Sequence, residues 1–130
     1  MSAKKLTPSS EDYLETILEL IGKTDAVRSV DIAQHLHVSK ASVNKAMGIL
    51  RDAGLIEQAH YGQIYLTSQG RQQAVDILRR HAMLKRFLVE ILSIDEATAE
   101  QDACRMEHVI SDRTRDRWLD YLGKVLDQTD

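Results

Sequence analysis

Cysteine, proline and long apolar runs are scarce in this sequence, and each scarcity excludes a class of protein. A single cysteine among 130 residues excludes an intramolecular disulfide and fits a reducing compartment, so we expect a cytoplasmic protein. No run approaches the ~18 apolar residues that a membrane-spanning helix requires, and the N-terminus lacks the apolar segment of a signal peptide. The single proline lies at position 8, so the rest of the chain is free to form helices.

Charge is distributed unevenly along the chain. Residues 1–72 carry eight basic and eight acidic side chains, whereas residues 73–130 carry nine basic and twelve acidic, which accounts for the net charge of −3. Residues 39–51 contain Lys40, Lys45 and Arg51 and no acidic residue. An acidic protein therefore contains a local basic segment, and such a segment suits contact with phosphates.

The order of the predicted elements is typical of a winged helix-turn-helix. Apolar residues recur at helical spacing, Ser29 and Ser39 stand where helices need a cap, and Gly54 ends the third helix. On either side of Tyr61-Gly62 the spacing of apolar residues changes from helical to every second residue, which indicates a hairpin. The predicted helices are 10–22, 30–36, 40–53, 68–92, 96–110 and 113–126, and the predicted strands are 55–60 and 63–66.

This pattern predicts a mainly α protein with two domains. Residues 1–72 form a winged helix-turn-helix DNA-binding domain, and residues 73–130 form a helical domain. His37 stands in the turn before the third helix, where such motifs often carry glycine. We therefore expect a positive φ at a residue that tolerates it only at some cost.

The third helix of such a motif enters the major groove of DNA with its first residues facing the bases. Hydroxyl, amide and cationic groups in this segment are suited to base edges and phosphates, and two residues of the wing are suited to the sugar-phosphate backbone. For any one of these residues alone, a solvated position on an exposed helix face is an open alternative. The candidate DNA contacts are Ser39, Lys40, Ala41, Ser42, Asn44, Lys45, Arg51, Tyr61 and Gln63.

Three different types of metal ligand lie on one face of the predicted helix 96–110. Cys104, Glu107 and His108 stand at positions i, i+3 and i+4, which places a thiolate, a carboxylate and an imidazole side by side. Burying these three groups without a metal would leave polar atoms poorly paired. The simpler alternative for Cys104 alone is a small core residue.

Further candidate ligands lie on two other predicted helices. Asp12 and Glu15 have the i, i+3 relation on the first helix, and His81 lies on the long helix. The simpler alternatives are a charged face near a helix N-terminus for the two acids and a bundle histidine for His81. If the three helices converge, six donors meet.

On these residues the sequence resembles the diphtheria-toxin-repressor family of iron- and manganese-dependent regulators, over nearly its whole length. The segment from Asp102 to Val109 is similar to the metal helix of the iron-sensing branch. The segment from Ser10 to Glu15 is instead similar to the first helix of the manganese branch, and His81 falls where both branches place a histidine ligand.

The resemblance implies a metal-dependent transcriptional repressor and no enzyme. It implies that residues 73–130 form a dimerisation and metal-binding domain, and that the partners are double-stranded operator DNA and a second copy of the chain, with no membrane and no small organic substrate. It also implies one or two divalent ions per subunit, Fe2+ or Mn2+. The implied ligands are Asp12, Glu15, His81, Cys104, Glu107 and His108.

The chain departs from each branch at particular positions. Cys104 stands where the manganese branch has a glutamate, and Asp12 stands where the iron branch has a methionine. Lys85 and Glu100 replace a glutamate and a histidine of the iron branch's second site, so a second site here would use His81 and Glu15 with a shared Glu107. Because thiolate and imidazole favour Fe2+ over the harder Mn2+, we expect Fe2+ slightly ahead.

The C-terminal part contains more large apolar residues than so thin a helical layer can bury. A two-fold homodimer would cover them and would match a palindromic operator. The alternative, that they pack only within their own domain, is open. The residues concerned are Ile91, Leu92, Ile94, Val109, Ile110, Trp118 and Leu122.

Two other classes of protein share part of this pattern. A winged-helix regulator that responds to an organic effector, or to none, would have the same N-terminal half. A small metalloenzyme would use Cys104, Glu107 and His108, but a hydrolytic site also needs an open metal position and a positioned base. The sequence offers no surplus acid-base group, so we expect no enzyme.

Overall fold

Helices dominate the structure, a computed structural model that describes residues 6–24, 26–60 and 62–127, without the side chains of His108 and Asp127. The described residues form two compact units, one that ends at Ile77 and one that begins at Leu78. The mainly α fold and the predicted order of elements are confirmed. The elements are α1 (Pro8–Ile21), α2 (Ser29–Leu36), α3 (Lys40–Asp52), β1 (Ile56–Gln58), β2 (Ile64–Leu66), α4 (Ser68–Arg86), a π-helical turn (Phe87–Ile91), α5 (Glu96–Val109) and α6 (Asp112–Asp127).

Side-chain caps fix where most of the helices begin. The hydroxyl of Thr7 accepts a hydrogen bond from the Ser10 N–H at 3.1 Å, so α1 begins two residues earlier than its sequence predicts. Ser39 caps α3 as predicted, and the Asp95 carboxylate accepts from the Thr98 N–H at 3.0 Å to cap α5. Each cap satisfies a backbone donor that a helix start leaves without a partner.

The start of α2 differs from the prediction by one residue. Ser29 is the first residue of the helix rather than its cap, and its side chain is buried. The cap position belongs to Arg28, whose N–H donates to the Asp31 carboxylate at 2.9 Å. The expected positive φ at His37 is confirmed, with φ 56° and ψ 46°.

The hairpin after α3 is the wing of the fold. Strands β1 and β2 pair antiparallel with Ile56 opposite Leu66 and Gln58 opposite Ile64. Ile64 also donates its N–H to the Val27 carbonyl at 2.8 Å, which ties the wing to the segment before α2. Gly62 adopts a φ of 94° in the turn, as glycine readily does.

The N-terminal unit is built around one apolar core. Side chains from α1, α2, α3, α4 and the hairpin are fully buried there, and each contributes roughly 1.5–3 kcal/mol relative to an exposed position. Because α3 turns this face inward, its opposite face is left to solvent. The largest fully buried side chains of this core are Leu14, Ile17, Ile32, Met47, Leu50, Leu55, Ile56, Ile64 and Ile77.

A second core holds the C-terminal unit together. Phe87 and Trp118 meet edge to face with their ring centroids 5.4 Å apart. Trp118 therefore packs on its own unit, and Leu122, which the sequence assigned to a dimer surface, is fully buried in this core. The buried members are Leu84, Leu88, Ala99, Ala103, Leu122 and Leu126.

The long helix predicted over residues 68–92 is not α-helical throughout. It changes to a π-helical turn at Phe87, where the Leu92 N–H donates to the Phe87 carbonyl at 3.3 Å. The chain then turns at Ser93, which has a φ of 58°.

Each of the described helices is too short or too polar to span a bilayer.

Gly70 is required by the close approach of α4 to the hairpin. Thr67 caps α4 by accepting from the Gly70 N–H at 3.0 Å, and it donates its hydroxyl to the Gly54 carbonyl at 2.7 Å. A Cβ at Gly70 would overlap with the backbone carbonyl of Leu55. Overpacking of this kind typically costs about 1–3 kcal/mol.

We predict that Gly70→Ala lowers the free energy of unfolding by about 1–3 kcal/mol, although alanine favours helices. Gly48→Ala is the control, because a Cβ there would meet only the Arg51 guanidinium at 3.8 Å. The control should be neutral or more stable by up to about 1 kcal/mol. Urea unfolding measures both, and equal stability of the two variants would contradict the close approach at Gly70.

Candidate functional site

A cluster of three potential metal ligands lies in the C-terminal unit. Helix α5 carries Cys104 and Glu107 one turn apart, and α4 carries His81. The ligand atoms of the three side chains all lie within 4.8 Å of one another. Ala99 and Ala103 are fully buried, and their small side chains let α5 pack closely against its neighbours. The helix face that builds the core therefore also brings the donors together.

The two ring nitrogens of His81 lie near different carboxylates. Its Nε2 lies 2.7 Å from Glu100 Oε1, within hydrogen-bond distance, and its Nδ1 lies 3.9 Å from Glu107 Oε1, beyond it. Within the described part of the chain, the buried Nδ1 has no hydrogen-bond partner. Because a carboxylate accepts hydrogen bonds, the 2.7 Å contact requires a proton on Nε2.

Glu107 is the most deeply buried member of the cluster, with a side chain that is 1% exposed. Moving a carboxylate out of water costs several kcal/mol unless positive charge or hydrogen bonds offset the loss. Cys104 is half-buried beside it. The cluster thus presents an oxygen, a nitrogen and a sulfur donor in surroundings that favour a cation.

The residues fit a divalent transition metal by both their chemistry and their spacing. Two ligands bound about 2.0–2.3 Å from one ion can be at most about 4.6 Å apart. The ligand atoms of the cluster lie within 4.8 Å of one another, so only a small movement would bring them to that limit. The mixed donor set suits Fe2+, Co2+ or Zn2+, and carboxylate ligands extend the range to Mn2+.

Glu100 and Lys85 form an outer layer around His81. The Lys85 ammonium lies 3.1 Å from Glu100 Oε2, while Oε1 of the same carboxylate faces His81. Burial acts to raise the pKa of Glu100, but hydrogen bonds from Lys85 and His81, together with their charges, outweigh it and lower the pKa below its ordinary value. Glu100 is therefore held as a carboxylate.

The sequence named Glu100 only as the replacement of a histidine in the iron branch's second site, and its contact with His81 was not predicted, although a signal was present. Glu100, Cys104 and Glu107 are spaced i, i+4 and i+7 on α5, and His81 and Lys85 are spaced i, i+4 on α4. These spacings put each set on one helix face. The pairing between the two sets depends on how α4 and α5 pack, which neither spacing reveals.

The other predicted metal ligands lie elsewhere in the chain. Asp12 and Glu15 are half-buried on α1, in the N-terminal unit. His108 follows Glu107 on α5, but its side chain lies outside the described residues. Of the six predicted ligands, the structure brings together His81, Cys104 and Glu107.

The candidate DNA contacts on α3 are exposed to solvent. Ser39 accepts the cap hydrogen bond from the Ser42 N–H and donates its own hydroxyl to Ser42 Oγ at 2.9 Å. The Ser39 hydroxyl is thereby engaged within the helix start. The exposed residues of this face are Ser39, Lys40, Ala41, Ser42, Asn44 and Lys45.

The remaining DNA candidates lie at the end of α3 and on the wing. Arg51 is exposed and donates to Gln58 Oε1 at 3.4 Å, and Gln58 Nε2 donates to the Gly62 carbonyl at 3.4 Å. Gln58, which the sequence did not single out, links α3 to the wing. Gln63 is half-buried, and Tyr61 lies outside the described residues.

Two family models together match nearly the whole chain. The model described as "Iron dependent repressor, N-terminal DNA binding domain" matches residues 5–64. The model described as "Iron dependent repressor, metal binding and dimerisation domain" matches residues 67–128. The candidate DNA contacts thus fall within the first match, and the cluster on α4 and α5 falls within the second.

Characterised relatives and solved structures agree with these matches. The chain is 36% identical to the transcriptional regulator MntR of Escherichia coli O157:H7, over 88% of this chain and 73% of that protein. It is 31% identical to the Diphtheria toxin repressor of Corynebacterium diphtheriae, over 94% of this chain and 54% of that protein. The structure of the metal-dependent transcriptional regulator MtsR superposes with a TM-score of 0.81 and 28% identity, over 94% of this chain and 55% of that chain.

The resemblance found in the sequence is therefore confirmed, as is the winged helix-turn-helix fold. The chain spans about half the length of the Diphtheria toxin repressor and of the MtsR chain. The proteins of this family are DNA-binding transcriptional repressors and not enzymes, which agrees with the expectation from the sequence. On the family models and on its identity to MntR, the chain belongs to the family of iron-dependent repressors, the metal-dependent regulators that include the Diphtheria toxin repressor.

Proposed function

We propose that this protein is a metal-activated repressor that binds palindromic operator DNA as a homodimer when it holds Fe2+ or Mn2+. The observation that carries the proposal is the buried cluster of His81, Cys104 and Glu107, in the same chain as an exposed recognition helix. We also propose that it acts in the cytoplasm, where its operator DNA would be. The family supports a DNA-binding part over residues 1–72 and a dimerisation and metal-binding part over 73–130.

We propose that Asp12, Glu15 and His108 complete the ligand set, on the basis of the family resemblance and the chemistry of these residues. In such a ligand set, the carboxylates of Asp12, Glu15 and Glu107 would repel one another without metal. A bound divalent cation supplies the positive charge that neutralises these groups. Because Asp12 and Glu15 belong to the first helix of the DNA-binding part, holding a cation links that part to the metal centre.

The consequence for DNA binding is a reduction in conformational freedom. A dimer reads two half-sites about 34 Å apart, so its two α3 helices must be held at that spacing. When the ligands hold a cation, the protein is already ordered before DNA binds. The free-energy cost of DNA binding therefore falls. Coupling of this kind typically changes affinity by about 5- to 150-fold.

The proposed DNA contacts divide into two groups. Ala41, Ser42, Asn44 and Lys45 face base edges, where the methyl group of Ala41 suits the thymine methyl and the polar groups donate to acceptors in the groove. The others contact the sugar-phosphate backbone, which fixes the position of the protein on the duplex. This second group comprises Ser39, Lys40, Arg51, Tyr61 and Gln63.

The proposed dimer face uses the apolar residues that the C-terminal unit leaves exposed. Val109 is 79% exposed, Leu92 52% and Ile91 43%, whereas Leu122 is buried. Large apolar side chains at such exposure are costly in water, and association of two copies would remove them from it. A family model that includes dimerisation over residues 67–128 supports this face.

The first test measures DNA binding by chelated protein with Mn2+, with Fe2+ under anaerobic conditions, or with no added metal. The probe is a pool of random-sequence duplexes carried through rounds of selection. We expect either metal to raise retention by about tenfold or more and to enrich palindromic sequences. Cys104→Ala should lose most of this response, because it removes one of the three clustered donors.

Gln101→Ala is the matched control, since Gln101 is exposed on the same helix. It should respond to metal as the unaltered protein does. Equal retention with and without metal would exclude metal activation. It would favour instead a winged-helix regulator that responds to an organic effector or to none.

The second test concerns which metal is preferred. Cys104→Glu replaces a soft thiolate with a hard carboxylate, so the ratio of Mn2+ affinity to Co2+ affinity should rise. Calorimetric titration of the two metals into chelated protein measures this ratio, with Co2+ standing in for the air-sensitive Fe2+. An unchanged ratio would show that Cys104 does not set the metal preference.

The third test concerns the dimer. Val109→Asp places a charge on the proposed face and should shift the molar mass in light scattering from dimer toward monomer. Val30→Asp is the control, because Val30 is 46% exposed on α2 and lies in the other unit. A dimer that both variants leave intact would exclude Val109 from the interface.

A further inference from the structure

The ring of His81 lies between two carboxylates at unequal distances. Nε2 is 2.7 Å from Glu100 Oε1, and Nδ1 is 3.9 Å from Glu107 Oε1. In its neutral form an imidazole has one N–H donor and one lone pair, and the shorter contact is the one that requires the proton. A proton on Nδ1 would leave two facing electron pairs at the 2.7 Å contact, whereas a proton on Nε2 makes that contact a hydrogen bond.

Glu100 is itself fixed at both oxygens. Oε1 accepts from His81, and Oε2 lies 3.1 Å from the Lys85 ammonium. Lys85 and His81 are one turn apart on α4, so two residues of one helix hold a single carboxylate of α5 between them. A carboxylate bound at both ends cannot easily rotate away from the ring.

We propose that Glu100, held by Lys85, is the positioning residue that keeps the His81 proton on Nε2 and so presents Nδ1 to the metal. The inference rests on the proposed function, because it concerns how His81 binds the metal of that site. A carboxylate that accepts the second N–H of a metal-binding histidine fixes the ring and raises its basicity. Neither Glu100 nor Lys85 contacts the metal in this arrangement.

The arrangement explains why both residues lie at the rim of a buried site. The Glu100 side chain is 53% exposed and that of Lys85 is 32% exposed, whereas that of His81 is only 11% exposed. An ion pair at such exposure adds little to stability, with a typical contribution of about 0–1 kcal/mol. Orientation of the histidine is therefore a more substantial role for the pair than stabilisation of the fold.

The test begins with chelated protein, where metal occupancy plays no part. Two-bond nitrogen–proton correlation spectra of 15N-labelled protein at pH ~8, where unperturbed histidines are neutral, report the tautomer of His81. The unaltered protein should show the proton on Nε2. Glu100→Ala should shift the ring toward a mixture of both tautomers, and Lys85→Ala should do so to a smaller extent.

The second part of the test adds Zn2+, which is diamagnetic and leaves the spectra observable. The Nδ1 resonance should move while Nε2 keeps its proton. Calorimetry should show that Glu100→Ala weakens Zn2+ binding about 10- to 100-fold, the usual loss for an outer-shell partner. Glu96→Ala, at an exposed acid of the same helix, is the control and should keep both the tautomer and the affinity.

Two results would overturn the inference. One is a Glu100→Ala protein with the same tautomer and the same Zn2+ affinity as Glu96→Ala. The other is coordination of Zn2+ through Nε2. Either result leaves metal-activated DNA binding standing, whereas DNA binding that ignores metal would overturn the proposed function without changing the tautomer measured in chelated protein.

Discussion

Burial of the Glu107 carboxylate is the constraint on which the C-terminal unit depends. With a side chain 1% exposed, Glu107 carries a group whose transfer from water costs several kcal/mol per ion, a large share of a typical domain's stability. A divalent cation bound by the Glu107 carboxylate would offset much of this cost. If the cluster holds a metal as proposed, metal binding and folding of this unit would be linked.

The same packing that buries Glu107 also builds the core beside it. Ala99 and Ala103 allow α5 to lie close to its neighbours, and their neighbours Glu100 and Cys104 then fall at the edge of the contact. Apolar and polar residues share adjacent stripes of one helix, so a shift of α5 would disturb the donors and the core together. As a result, burial decreases along the site from the buried Glu107 through the half-buried Cys104 to the exposed Glu100.

Local features could be predicted from the sequence, and features that depend on packing could not. The cap at Ser39, the turn at His37 and the one-face spacing of Cys104 and Glu107 each follow from a few neighbouring residues. The π-helical turn after Arg86 was not predicted, because α- and π-helices are formed by the same types of residue. Leu122 was assigned to a dimer surface because an amphipathic pattern does not distinguish a domain's own core from a partner. The contact between His81 and Glu100 joins residues 19 positions apart, and only the packing of α4 against α5 creates it.

The donor set also bears on how such a regulator distinguishes metals. Raw affinity of nitrogen and sulfur ligands follows the Irving–Williams order, so a site rich in them would favour Cu2+ or Zn2+ wherever those ions are free. Carboxylates moderate that order, because hard oxygen ligands suit Mn2+ and Fe2+. A cluster with one thiolate, one imidazole and one buried carboxylate combines donors of both kinds, so on the proposed function the metal preference would depend on Cys104. Since Glu100 acts on the imidazole without taking up a position on the metal, it changes the strength of the nitrogen ligand and leaves the number of ligands as it is.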